Sequence, residues 1–194
     1  MKITRPISKN PLPKNAKLVF KGKIFEVYQW PQKMYDGTVA TFEKLKRLDT
    51  AGVIPVDKDG NILLSIQSQP NREEFIGCFG GRLEINEDPL TGVKRELLEE
   101  SGFVARKWQL WFSTQMADKI DYAAYVFIAK DLTKVKEPQP EPGEKIELKK
   151  VSFKEFIKIS ATEKFRDREI SLQIFRSMSD PKKFKEMKKL FSSL

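Results

Sequence analysis

The segment "NEDPLTGVKRELLEESGF", residues 86 to 103, carries a full set of helix start and stop signals. Asp88 suits an N-cap, Pro89 the first helical turn, and Gly102 the residue just past the end, so the segment predicts a helix over about 89 to 101. Leu90, Val93 and Leu97 recur at helical spacing and form one apolar stripe. That helix needs a surface to lie on, and the rest of the chain offers strands. "KLVF" and "KIFEVYQW" read as strands, and "YDGTVATFEKLKR" as a hairpin turning at Asp36-Gly37. "AGVIPVD" and "ILLSIQ" flank "KDGN", a second hairpin signal at Asp59-Gly60. After the helix come "WQLWFST" and "YAAYVFIA", the latter apolar on both faces as a central strand requires. A Pro-rich loop, "KEPQPEPGEK", precedes a last strand, "IELKKV". "SFKE" has the form of a capping box, and "RDREISLQIFRSM" and "DPKKFKEMKKLFSSL" continue as helices, the second with Asp180 as N-cap and Pro181 at its first position. Strands first, one helix in the middle and helices last predict an α+β fold, an α/β/α sandwich with a mixed sheet.

A chain of 194 residues has room for one sizeable core. The expected division is a tail and antiparallel β extension over 1–48, a main domain over 49–178, and a basic amphipathic helix over 179–194. In that last helix Phe184, Met187, Phe191 and Leu194 share helical spacing among lysines, which reads as a capping helix with a solvated basic face. The β signals of the first 48 residues, with their own hairpin, are not expected to add to the sheet that carries the central helix. The first residues look like a basic tail with no apolar signal core, and no run approaches the roughly 18 apolar residues of a membrane span; a soluble, cytoplasmic protein is expected. Cys78 is the sole cysteine and reads as a small buried hydrophobe. The absence of histidine removes imidazole bases, His-containing triads and imidazole metal ligands. A net charge of +9 and a pI near 9.5 favour an anionic partner, whether nucleotide, RNA, phosphosugar or acidic membrane.

Against that positive balance, the central helix concentrates acid. At about 100° per residue, Glu96, Glu99 and Glu100 fall on one sector, away from the apolar stripe. Like charges at this spacing repel, and carboxylates in a last turn oppose the helix dipole. A bound hard cation, Mg²⁺ or Mn²⁺, gives the arrangement a purpose; a merely solvated acidic face is the alternative.

Gly81, Glu87 and the run Arg95-Glu96-Leu97-x-Glu99-Glu100-x-Gly102 then show a longer pattern, with five residues between the first two and seven before the arginine. This resembles the Nudix box of the Nudix hydrolases, and only Phe103 departs, being aromatic where an aliphatic residue is usual. The resemblance implies a Nudix-type sandwich that cleaves a nucleoside diphosphate linked to another group. It implies that Glu96, Glu99 and Glu100 ligate the metal with the backbone carbonyl of Gly80, and that Glu96 and Glu100 serve catalysis through it. Glu87 and Arg95 would pair to orient the helix, and Gly81 would permit the tight loop before it.

Beyond the box, "VFKGKIFEVYQW" and "DGTVATFEKLKRLDTAGVIPV" look like the ADP-ribose pyrophosphatase branch, with an N-terminal β extension that helps form a homodimer. By that resemblance Glu43 and Arg47 help hold the nucleotide, and a loop carboxylate, Glu144 first and Glu147 second, activates water. Trp30 is the aromatic to test for base stacking, with core packing as its other use, as for Trp108 and Trp111. The branch's Gln-aromatic-Arg segment appears here as Gln67-Ser68-Gln69, so its substrate arginine is missing unless Arg72 replaces it, and Phe79 stands where a proline is usual. The expected activity is hydrolysis of ADP-ribose or a related nucleoside-diphosphate sugar. Two other readings stay open: a pyrophosphohydrolase of nucleoside triphosphates, dinucleoside polyphosphates or RNA 5′ ends, and a non-catalytic nucleotide-sensing or RNA-binding domain.

Overall fold

The computed structural model describes residues 3–140 and 142–192; Leu194 of the basic helix lies outside the described residues. Strands β1 (Lys17–Lys21), β2 (Glu26–Lys33) and β3 (Val39–Lys46) form an antiparallel meander, with the expected turn at Gly37. β4 (Thr50–Pro55) and β5 (Ile62–Ser68) follow, then the short β6 (Phe75–Gly77) and β7 (Phe79–Arg82). Helix α1 (Pro89–Ser101) leads to a long hairpin of β8 (Phe103–Ala117) and β9 (Ile120–Lys134), then β10 (Lys145–Val151) and helices α2 (Phe153–Ser160), α3 (Arg168–Met178) and α4 (Pro181–Leu190).

The larger sheet runs β1-β2-β3-β9-β4-β7, with β8 on the other edge of β9; β10-β5-β6 make a second sheet. β9 is central, and its neighbour β4 runs parallel to it, from Thr50 opposite Ala124 to Pro55 opposite Ala129. Both strands are buried on both faces with a period of two. Val53, Tyr125 and Phe127 pack with Val93 and Leu97 of α1, whereas Ile54, Val126 and Ile128 pack with Phe156, Ile174 and Met187 of the other helices. One sheet between α1 and the α2–α4 layer is the expected α/β/α sandwich. Trp108 joins the α1 side and Trp111 the other, edge-on to Phe191 of the last helix.

Three expectations change. The Asp59-Gly60 turn forms, but β4 and β5 meet only through the Val56–Ile62 bridge before entering different sheets. Val53 and Ile54 on β4 face opposite helix layers, so β4 is held by β9 and β7 and is not free to continue a hairpin. The N-terminal meander does join the larger sheet: Leu45 and Lys46 of β3 run parallel to Ile120 and Asp121, end to end with β4 along one edge of β9. The basic tail is also fixed in place, since the Arg5 guanidinium donates to Asp49 at 2.8 and 3.0 Å and to Asp121 at 3.0 Å, and buried Lys44 donates to the Asn10 carbonyl.

Helix α1 begins and ends as its signals require. The Asp88 carboxylate accepts from the Leu90 and Thr91 amides, and Gly102 adopts φ 73°, a left-handed end that a side chain disfavours. Cys78 is buried, which pushes its thiol pKa well up. No helix among the described residues is long and apolar enough to cross a membrane.

Candidate active site

Two glycine-bearing residues of β7 face the acidic side of α1. A Cβ on Gly81 would stand 2.6 Å from a Glu96 carboxylate oxygen, so only glycine allows that approach. The Gly80 amide donates to Glu100 Oε2 at 2.7 Å. Glu100 therefore turns inward and is 6% exposed, which corrects the expectation that all three carboxylates lie away from the core. Desolvation is the main force raising the Glu100 pKa from 4.5 to about 8; the Gly80 amide opposes it, and the negative charges of Glu96, Glu144 and Asp167 add to it.

Arg95 lies among the other carboxylates. Its Nε and one terminal nitrogen donate to Glu87, each at 3.2 Å, while the other donates to Glu96 at 2.9 Å and to Glu99 at 3.1 Å. Glu87 also accepts from the Glu84 amide, and Arg95 holds its carboxyl below the usual range. Among the described residues no three acidic, cysteine or histidine side chains close around one point as a finished metal cage. The donor set nonetheless suits a hard cation: all its members are carboxylates, they crowd one helix face against the Gly80–Gly81 backbone, and a guanidinium already neutralises two of them.

A cleft of about 410 Å³ opens beside this face. Arg47, Gly80, Gly81, Tyr122, Asp167 and Glu169 are among its lining residues. The Arg47 guanidinium lies 4.9 Å from the Tyr122 ring centroid, and its Nε is buried without a partner among the described residues. Glu144, just before β10, comes near enough to act on Glu100 and accepts from the Gln69 side chain at 2.9 Å; Gln69 in turn accepts from Arg72 at 3.0 Å. Glu147 sits exposed within β10, opposite Ile66. Arg72 stacks near Phe75 at the mouth. Trp30 and Glu43 lie outside the cleft: Trp30 packs on Phe42, and Glu43 accepts from Gln29 on the extension.

Sequence reasoning missed the wall made by the start of α3. Lys164 and Arg166 bond to both sides of Ile76 through their backbones, and this brings Asp167 against the Cys78 amide at 2.7 Å. Glu169, two residues on, lies near Tyr122 and is raised from 4.5 to about 7, mainly by desolvation and then by Asp167. The available signal was the pair of acids in "FRDREI", set between the apolar Phe165 and Ile170, both of which prove buried.

A mixed sheet between helix layers, with a carboxylate helix packed on a glycine strand at the mouth of a cleft, defines a class of hydrolase acting on phosphoanhydrides. The NUDIX domain profile matches residues 46–173, and the chain belongs to the Nudix family of pyrophosphohydrolases. It is 26% identical over 147 residues to an ADP-ribose pyrophosphatase of Bacillus subtilis (strain 168), covering 73% of this chain and 78% of that one. It is also 26% identical over 121 residues to a methanol dehydrogenase activator of Bacillus methanolicus, covering 60% and 64% respectively. A solved structure described as an ADP compounds hydrolase shares the fold with a TM-score of 0.69 at 18% identity, over 97% of this chain and all of that one.

Proposed function

We propose that this Nudix hydrolase is a Mg²⁺-dependent pyrophosphatase of ADP-ribose or a related nucleoside-diphosphate sugar, releasing a nucleoside monophosphate and a sugar phosphate. The observation that carries it is the packing of Glu96 and Glu100 against Gly80–Gly81 beside the cleft, with Glu99 next to them on Arg95 and Glu144 close enough to act on Glu100. The similarity to the Bacillus subtilis ADP-ribose pyrophosphatase supports the substrate class.

Glu96, Glu99 and Glu100 would hold the metal, with the Gly80 carbonyl as a further ligand. When bound, the ion neutralises diphosphate charge and lowers the pKa of a coordinated water. The chain's own residues supply the rest. Arg95, anchored by Glu87, fixes the rotation of α1 and hence the direction of its carboxylates. Glu144 is the group placed to take a proton from the attacking water, and Gln69 holds its other oxygen in position. Arg47, lining the cleft, contacts the substrate, and Arg72 steadies Gln69.

Homodimerisation is part of the proposal. Leu18, Val19, Phe20, Ile24 and Val39 leave the extension with an exposed apolar surface, and Trp30 and Glu43 lie off the cleft of their own chain, where a second copy would use them.

The test is a panel of nucleoside diphosphate sugars, dinucleotides and nucleoside triphosphates with Mg²⁺, scored for released products. Cleavage of the diphosphate sugars, abolished by excess chelator and reduced by orders of magnitude in Glu96→Gln and Glu100→Gln, is expected. Full activity in chelator, or wild-type rates in both variants, overturns it.

A further inference from the structure

The cleft continues past the box face. Arg47, Tyr122, Asp167 and Glu169 line it there, and Glu169 lies close enough to Tyr122 to act on its hydroxyl. Among the described residues Glu169 has no ion pair and accepts no hydrogen bond beyond its own backbone amide, while Arg47 Nε is buried without an acceptor. Both groups border the same space. Glu169 is thus a desolvated acceptor left open, and the Arg47 guanidinium lines the same cleft, so a ligand that pairs with both is favoured.

That ligand group must accept from Arg47 and donate to Glu169. It must also tolerate Asp167 behind Glu169. Vicinal hydroxyls of a sugar meet these requirements, because each hydroxyl both donates and accepts and neither carries charge. An ionised phosphate offers acceptors only and would lie against two carboxylates. Arg166 and Arg168, which flank Asp167 and also line the cleft, are engaged elsewhere. Arg168 is turned back onto the Thr162 and Glu163 carbonyls, and Arg166 lies 4.8 Å from the Phe75 ring, on the residue that Arg72 also approaches at the mouth.

We propose that Glu169 is a specificity-determining residue that selects a neutral hydroxyl-bearing group over a further phosphate at this end of the cleft. The preferred substrates are then nucleoside diphosphates joined to a sugar, and nucleoside polyphosphates are rejected. This rests on the box face being the diphosphate site, as proposed above.

Calorimetric titration at pH 8, above the Glu169 value of about 7, with non-hydrolysable methylene analogues of ADP-ribose and of ATP, each with Mg²⁺, reads binding without turnover. The wild type is expected to prefer the ADP-ribose analogue by about tenfold or more, and Glu169→Gln to shrink the preference to within about threefold by weakening the sugar and tightening the triphosphate. Glu169→Asp keeps the negative charge, so it should weaken the sugar while still rejecting the triphosphate. An unchanged preference in Glu169→Gln, a wild type that favours the triphosphate analogue, or one that binds neither, overturns the proposal. Metal-dependent product release and its loss in Glu96→Gln and Glu100→Gln judge the hydrolase assignment separately, so the two can fail independently.

Discussion

A carboxylate placed in this wall has a cost in folding that varies with pH. Desolvation, with Asp167 adding to it, raises Glu169 from 4.5 to about 7, against its own backbone amide and Arg166. The folded chain therefore binds this proton more tightly than the unfolded chain does. Stability is greatest below the unfolded value near 4.5 and falls as pH rises to about 7, above which the loss is complete. At about 1.4 kcal/mol per pH unit, that gap bounds the loss at about 3 kcal/mol. Part of the carboxyl still meets water, so about 1–2 kcal/mol is the expected size.

Glu169→Gln removes the charge while keeping the shape. Its stability should equal that of the wild type near pH 4.5 and exceed it by about 1–2 kcal/mol at pH 8. Urea unfolding of both proteins across that range, at constant m, measures the difference through the midpoint. The other groups facing Glu169 are Asp167, Arg166, Arg47, Tyr122 and Cys78. Tyr122 and Cys78 are pushed up out of this window and the arginines stay charged, so the difference reports Glu169 together with its coupling to Asp167. A stability difference that is flat with pH, or larger at pH 4.5 than at pH 8, refutes the reasoning.

Two further outcomes follow from the site and the extension. Glu144→Gln should lower kcat by about 10²-fold or more while Glu147→Gln stays near wild type, because only Glu144 reaches the Glu100 cluster; steady-state kinetics on the best substrate decide it, and the reverse order removes Glu144 as the base. Deleting residues 1–48 should abolish association in light scattering and weaken nucleotide binding, whereas a monomeric full-length protein or an unaffected truncated one removes the shared-site dimer.

Local signals located helix α1 because its N-cap, its first-turn proline and its left-handed glycine all lie within the helix or beside it. The apolar run of β9 likewise marked a central strand, since burial on both faces leaves no room for alternation. What escaped was set by long-range pairing. Nothing local tells that β5 leaves β4 for another sheet, or that the Arg5 guanidinium crosses to Asp49 and Asp121 and fixes the tail. Glu100 was misplaced for a related reason. Angular position on a helix assigns it to the polar side, but the orphan amide of Gly80 on a neighbouring strand draws it in. Asp167 and Glu169 were read only as the start of a helix, because their partners, the Cys78 amide and the far wall of the cleft, are remote in sequence.

Asp167 and Glu100 together solve one backbone problem. β7 is the last strand of the larger sheet, so the amides on its outer edge have no strand to donate to. Cys78 and Gly80 are two residues apart, their amides point the same way, and each donates at 2.7 Å, one to Asp167 and the other to Glu100. A further strand would satisfy the same amides but would occupy the space in which the cleft opens. Carboxylates on α3 and α1 satisfy them from the two helix layers and leave the space clear. The short glycine strand is thereby clamped at one end by the helix that carries the box and at the other by the helix that carries Glu169. The proposed diphosphate site and the proposed sugar wall are fixed relative to each other through three residues of backbone, 78 to 80, and the reach between them is set by that strand.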